Sequence, residues 1–141
     1  MKKFPAEELK RYFFKDRFAN YVGIEITAIG DGEAAARMEI KQHHLNGVGL
    51  VHGGALFTLA DIAAAVAANS RGRVAVAVNC TISFVKPVLG KVVFAEAREI
   101  SISRRLATYA VSIKDEAGDV VAAFQGTAYR RNKSTDQVEK E

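Results

Sequence analysis

Between residues 46 and 70 a glycine pair opens an apolar helix, and that helix carries a single carboxylate. The stretch reads NGVGLVHGGALFTLADIAAAVAANS, with the helix expected from about Ala55 to Asn69 and Asp61 its only charge. The first N–H groups of a helix have no acceptor within it, and the helix dipole places positive charge behind them. Gly53 and Gly54 put no side chain over those donors, so a ligand oxygen can come close. A developing oxyanion needs that environment. Asp61 lies among Leu59, Ala60, Ile62, Ala63, Ala64, Ala65 and Val66. A helix apolar on nearly every side is buried, so its carboxylate is either bonded structurally or kept for chemistry.

Spacing limits how the two features can cooperate. Gly53 and Asp61 are eight residues apart, which is ~12 Å along a helix axis. An aspartate side chain cannot meet the Gly53 amide over one small carbonyl across that gap. If both act on one atom they belong to different copies of the chain. A homodimer with its site at the interface is therefore expected.

The flanking elements follow from periodicity. Residues 6–18 read as one short amphipathic helix with Pro5 in its first turn and Leu9, Tyr12, Phe13 and Phe14 on the apolar side, expected to pack across the body of the fold in preference to covering a cleft as a lid. From Val22 the period becomes two, giving a strand to Ala28, a Gly30-Asp31-Gly32 turn and a second strand over 33–40. After the helix, Asn69-Ser70-Arg71-Gly72 is a stop signal. Residues 74–85 then alternate. Val74, Val76, Val78, Cys80, Ile82 and Phe84 are expected to face the helix, and Ala75, Ala77, Asn79, Thr81 and Ser83 to line a cleft or interface. Cys80 on that apolar face reads as a core residue and not a nucleophile. Strands over 91–101, 106–114 and 120–129 follow, joined by tight turns, and residues 130–141 are expected to fray. Tight turns imply antiparallel pairing. One apolar helix and a long antiparallel sheet give an α+β fold in which the curved sheet wraps the helix.

The bulk properties narrow the class. The 141 residues, 49% hydrophobic, suit one domain spanning the chain. Twenty basic against sixteen acidic residues give a charge of +4, which favours anionic partners without naming one. Cys80 is the only cysteine, so there is no intrachain disulfide and no thiolate metal cluster. His43, His44 and His52 have no metal-site spacing, and no metal is expected. No apolar run reaches the ~18 residues of a membrane span, and the basic start lacks a signal peptide's apolar stretch. A soluble cytoplasmic protein is the default expectation.

The layout, together with HGGALFTLAD (52–61), Asn46, Asn69-Ser70 and FVKP (84–87), resembles the hotdog fold and within it the PaaI-like branch of acyl-CoA thioesterases. The resemblance covers roughly residues 20–130. It implies hydrolysis of an acyl-CoA, of aromatic or short to medium acyl group, to the free acid and coenzyme A. Asp61 matches the catalytic acid, acting as general base or nucleophile, and Gly53 the glycine whose amide polarises the thioester carbonyl. Asn46 matches the side chain that orients water or substrate, and His52 the neighbouring motif histidine. A nearby helix N-terminus would favour the ionised form of Asp61. Gly54, Phe57, Asn79 and Thr81 are candidates for the substrate cleft. Lys86, Ser103, Arg104 and Arg105 are candidates for the coenzyme A phosphates on strand-end position and charge. Coenzyme A enters only as part of the substrate, and no other cofactor is implied.

The resemblance also implies a homodimer with interfacial sites, paired into a dimer of dimers, and neither nucleic acid nor membrane as partner. Where some hotdog thioesterases carry a hydroxyl residue one turn after the acid, this chain has Ala65. A hotdog enoyl-CoA hydratase or dehydratase, and a non-catalytic acyl-CoA sensor, are the competing readings. The Gly-Gly helix start fits the first poorly, and the short N-terminal helix leaves no room for the DNA-reading module a regulator needs.

Overall fold

A computed structural model describes residues 6–134; Pro5 and the tail from residue 135 lie outside the described residues. Its elements are α1 (Ala6–Phe14), α2 (Arg17–Val22), β1 (Ile24–Gly30), β2 (Glu33–Glu39), a 3-10 turn (Gln42–His44), α3 (Gly53–Asn69), β3 (Arg73–Phe84), β4 (Val92–Ile102), β5 (Leu106–Lys114) and β6 (Val120–Ser134). The six strands form one sheet in the order β1-β2-β4-β5-β6-β3, antiparallel at every pairing.

The sheet closes on α3 because both surfaces are small. Leu59, Ala60, Ala63, Val66 and Ala67 of the helix are buried against Ala36, Met38, Ala95, Val111 and Ile113 of the strands. Alanine on both sides lets helix and sheet backbones approach, and Leu, Val and Met fill the remaining volume. The helix end is tied to the sheet by hydrogen bonds. Asn69 Oδ1 accepts from the Ala75 amide at 3.1 Å, and its Nδ2 donates to the Ala65 and Ala75 carbonyls at 2.8 and 3.2 Å. Ser70 Oγ accepts from the Gly32 amide at 2.8 Å and donates to the Ala67 carbonyl at 2.6 Å. The Asn-Ser pair thus fixes the end of α3 to both the β1–β2 turn and β3.

Three expectations are corrected. The single N-terminal helix is two, because Asp16 leaves the helical run and caps the next one, Oδ1 accepting from the Ala19 amide at 2.9 Å. Val22 consequently ends α2 instead of starting a strand, and Gly23, at φ 90°, turns the chain into β1. Leu9 is buried beneath α1, which packs on the body, whereas Phe14 is exposed.

The tail is ordered through Ser134, since β6 continues alongside β3 to the Arg73–Ser134 pair. The third correction concerns the faces of β3. Its register against β6 shifts between Ala77 and Asn79, and a bulge of this kind reverses the alternation. Val76 and Val78 are 47% and 59% exposed. Ala75, Ala77, Cys80 and Ile82 turn toward the helix, while Asn79, Thr81 and Ser83 lie on the outer face.

Asn69→Ala leaves the buried amide and carbonyl of Ala75 without their side-chain partner. The expected loss of stability is about 2–3 kcal/mol, measured by urea denaturation with an unchanged m-value.

Candidate active site

The start of α3 has four amides to place. Ala55 and Leu56 both donate to the His52 carbonyl, at 3.0 and 3.3 Å. Gly54 donates to His52 Nδ1 at 2.8 Å. Nδ1 therefore carries a lone pair, and the neutral ring has its proton on Nε2. The Gly53 amide bonds to no described residue. His52 thus satisfies three of the four donors and leaves the one at Gly53 open, which corrects the expectation that Gly54 is also an uncovered donor.

Glycine is required at both positions. A Cβ on Gly54 would lie 2.9 Å from His52 Nδ1, and a Cβ on Gly53 would lie 2.9 Å from the Phe84 ring. The Phe84 ring, at the far end of β3, therefore lies against the Cα of Gly53.

Asn46 sits beside this start. Its Oδ1 accepts from the Val48 and Leu50 amides, both at 3.0 Å, closing the loop over 46–50. An antiparallel bridge from Leu45 to Val51 and the His52 amide bonded to the His44 carbonyl draw that loop against the helix. The carbonyl of Asn46 is thus committed, and its Nδ2 group is the part that can reach a ligand. His44 is a structural residue. It is buried, with Nδ1 accepting from the Lys41 amide at 2.9 Å and Nε2 donating to the Val22 carbonyl at 2.6 Å.

Asp61, two turns along α3, is half-buried and accepts no hydrogen bond from a described residue. It shares a hollow of about 30 Å³ with Ala65, Ala77, Cys80, Phe124 and Gly126, room for a water molecule. Burial pushes its pKa above the ordinary carboxylate value, and the charge of Asp16 pushes the same way. Within one chain the expected drop in pKa is therefore reversed: no helix N-terminus is near enough to outweigh desolvation. The β3 bulge also brings Cys80, read from the sequence as core, to the wall of this hollow. Burial and the Asp61 charge raise its thiol pKa, so it stays protonated.

The remaining candidates are dispersed. Phe57 packs edge-on against Phe124, ring centres 5.5 Å apart, and so backs the wall of the hollow. Asn79 and Thr81 are exposed on the outer face of β3, away from Asp61 of the same chain. Lys86 is paired with Asp119 at 2.7 Å and lies 3.8 Å from buried Asp115. Ser103 closes the β4–β5 turn, its Oγ donating to the Leu106 carbonyl and accepting from the Leu106 amide at 3.0 and 3.2 Å. Arg104 and Arg105 are exposed on that turn. Two residues that hold it, Arg73 and Arg130, carried no signal by type or spacing.

A profile of the thioesterase superfamily matches residues 48–122, from within the Asn46 loop through α3, β3, β4 and β5 to the start of β6. The chain belongs to the thioesterase superfamily. Acyl-coenzyme A thioesterase PaaI of Escherichia coli is 37% identical over 116 residues, 82% of this chain and 83% of that protein. The solved E. coli PaaI protein, from the phenylacetic acid degradation operon, has a TM-score of 0.84 at 34% identity, covering 88% of this chain and 91% of that one.

A mutant of phenylacetic acid degradation protein PaaI from Thermus thermophilus has a TM-score of 0.76 at 41% identity, over 81% and 98% of the two chains. A hypothetical thioesterase of Streptococcus pneumoniae, solved with coenzyme A, has a TM-score of 0.80 at 25% identity, over 90% and 99%. This thioesterase has the hotdog fold, sits in the PaaI-like branch and is a thioester hydrolase. No helix among its described residues is long and apolar enough to cross a membrane.

The raised Asp61 pKa has a stability consequence. An acid whose folded pKa lies above its unfolded value supports the fold below the unfolded pKa and loses that support as pH rises through the folded one. Asp61→Asn is therefore expected to raise Tm at pH 7, with the gain vanishing below about pH 3.8, the unfolded carboxylate value. A Tm difference that is independent of pH would contradict this.

Proposed function

We propose that this thioesterase hydrolyses acyl-CoA at sites shared between two copies of the chain. Asp61 is the base and the Gly53 amide of the other copy is the oxyanion donor. The observation that carries the reading is the pair of unsatisfied groups on α3: one amide and one carboxylate, ~12 Å apart along a continuous helix. Neither finds a partner among the described residues of its own chain.

In the proposed reaction a water in the Asp61 hollow gives its proton to the carboxylate and adds to the thioester carbonyl carbon. The carbonyl oxygen takes up negative charge against the Gly53 N–H, and Asn46 Nδ2 orients water or substrate. Collapse of the tetrahedral intermediate breaks the C–S bond, and the sulfur leaves with the proton returned from Asp61. The free acid and coenzyme A are the products. Burial raises the Asp61 pKa, which makes its ionised carboxylate a stronger base. His52 acts on the amides and not on the substrate, keeping the Gly53 donor directed outward.

Support for the two-copy arrangement comes from β3. It is an edge strand of 12 residues with Val76 and Val78 exposed, the kind of edge that pairs with another strand. Support for acyl-CoA as substrate comes from the E. coli relative, an acyl-coenzyme A thioesterase, and from the S. pneumoniae neighbour, solved with coenzyme A.

Free-thiol release from a panel of acyl-CoA esters, run beside enoyl-CoA hydration, tests the reaction class. Asp61→Asn is expected to lower kcat at least ~10²-fold, and unchanged turnover would remove Asp61 from the mechanism. Subunit mixing tests the sharing. Gly53→Val places atoms against Phe84 and covers the amide, so it too should be inactive. Mixed with Asp61→Asn, it should recover about a quarter of wild-type activity, since half the dimers are hybrid and each hybrid has one intact site. No recovery on mixing would mean that both groups act within one chain.

A further inference from the structure

The reaction proposed above gives no task to Lys86 or Asp115, and their geometry supplies one. Asp115 opens the β5–β6 turn over residues 115–119, and its side chain is wholly buried. Oδ1 accepts from the Ala117 and Asp119 amides, both at 3.0 Å, which closes the turn. An asparagine closes such a turn equally well, since one side-chain oxygen suffices. Oδ2 is therefore surplus to the turn. It is buried and accepts no hydrogen bond from a described residue, and the charge facing it is Lys86 Nζ at 3.8 Å. Lys86 also donates to Asp119 Oδ2 at 2.7 Å. A carboxylate out of water needs a counter-charge, so this ammonium is fixed between two acids of the turn.

The same turn holds the other end of the β3–β4 connection. Glu116 Oε1 accepts from the Lys91 and Val92 amides at 2.5 and 3.0 Å. Val88, between Lys86 and Lys91, packs against the core. The connection is thus pinned at both ends and in its middle. What it fixes is Phe84, two residues before Lys86. The ladder to β6 ends here: the Val85 and Lys86 amides share the Val121 carbonyl, at 2.9 and 3.4 Å, and Pro87 has no amide to continue it. Phe84 is 53% exposed, so core packing holds only part of its side chain.

Gly53 is where that ring acts. The His52 carbonyl accepts from the Ala55 and Leu56 amides and so points into the helix. The 52–53 peptide is planar and trans, which turns the Gly53 N–H the opposite way, out of the helix. That plane sets the direction of the donor. Its position depends on the Gly53 Cα, and glycine has no side chain of its own to anchor it. The Phe84 ring supplies the anchor, since a Cβ on Gly53 would meet its carbons at 2.9 and 3.3 Å.

We propose that Phe84 is a positioning residue that seats Gly53, and that Lys86, held between Asp115 and Asp119, is the positioning residue that keeps Phe84 in place. The proposal rests on the thioesterase reading above, in which the Gly53 amide meets the carbonyl oxygen. It assigns Lys86 to the oxyanion donor, through the end of β3, and not to the phosphates of the substrate. Such a donor acts only within hydrogen-bond reach, so a shift of about 1 Å at Gly53 lowers kcat and leaves KM nearly unchanged.

A double-mutant cycle on kcat tests this chain of contacts. F84A is expected to lower kcat about tenfold and K86M about threefold, whereas K86M in the F84A background changes it less than about 1.5-fold. K86R keeps a charge between the two acids and should retain wild-type kcat. K86M/D115N removes the buried charge together with its partner, so it should regain the Tm that K86M loses while kcat stays low. That separates positioning from stability. The K86M loss should be equal for an acyl-CoA and for the same acyl group on pantetheine, which lacks the nucleotide. The Gly53 amide resonance, followed by heteronuclear NMR, reads the seat without catalysis and should move in F84A and in K86M.

Five results would each overturn the proposal: additive losses in the cycle, K86R as slow as K86M, kcat recovering along with Tm in K86M/D115N, a K86M loss confined to the acyl-CoA, or a Gly53 resonance unmoved by either variant. If F84A fails to fold, F84L, which keeps apolar volume without the ring, replaces it in the cycle. A protein whose Gly53 resonance moves as expected but which hydrolyses neither thioester would count against the thioesterase reaction and leave the Phe84 seat standing.

Discussion

The disposition of four amides at the start of α3 is the constraint from which the site follows. The start of α3 lies near the surface, with His52 and Gly54 exposed and Gly53 half-buried, so any of these donors without a protein acceptor is open to water or to a ligand. His52 takes three of them through one carbonyl and one ring nitrogen. The fourth, at Gly53, has no acceptor among the described residues, and the Phe84 ring lies against the Cα of that glycine. A donor fixed in that way needs no reorganisation when an oxygen beside it becomes an anion, which is the main electrostatic advantage a protein has over water. The motif histidine contributes by what it removes from the helix start, and it needs no contact with substrate to matter.

In the proposed reaction the acid is the complement of that amide. Asp61 sits on a helix chosen for close packing, and the alanines that let the sheet approach also exclude the polar groups that would lower its pKa. The same small residues, Ala65 and Ala77, leave the hollow beside it. A core that packed better at this point would have no space for a nucleophile. The well-packed layers above and below, around Leu59, Ala63 and Val66, carry the stability that this hollow gives up.

Much of this was legible in the residue order, and the parts that were not have physical reasons. Periodicity located six strands and one central helix, because burial enforces period two and period 3.6 over long stretches. The glycine pair and the lone acid stood out since each violates the pattern around it. The phase of β3 was illegible: a bulge at Ala77–Asn79 adds one residue to one strand, and no residue type in VAVNC announces it. The split between α1 and α2 was hidden because Asp16 is acceptable inside a helix and also caps one. Arg73 and Arg130 looked like surface charge and a frayed tail. Their role depends on carbonyls of a turn some thirty residues away in sequence, which local reasoning does not reach.

The two edges of the sheet show why a shared site fits this chain. Strand β1, one edge, carries Glu25, has a register shift between Ile26 and Ala28, and packs against α1. These are the devices by which proteins prevent edge-to-edge pairing. Strand β3, the other edge, has register shifts of its own but none of that charge: from residue 74 to residue 85 there is no ionisable side chain except Cys80, and charge and proline return only at Lys86-Pro87. An edge of this length left apolar invites pairing with unrelated strands, so its retention implies a use. Pairing with a second copy would satisfy the edge and bring one helix start toward the other chain's acid in the same step. In the proposed reaction the central helix α3 carries one oxyanion donor and one acid, fixed two turns apart. Joining two such chains is the most direct way to bring those groups onto one substrate carbonyl without bending the helix.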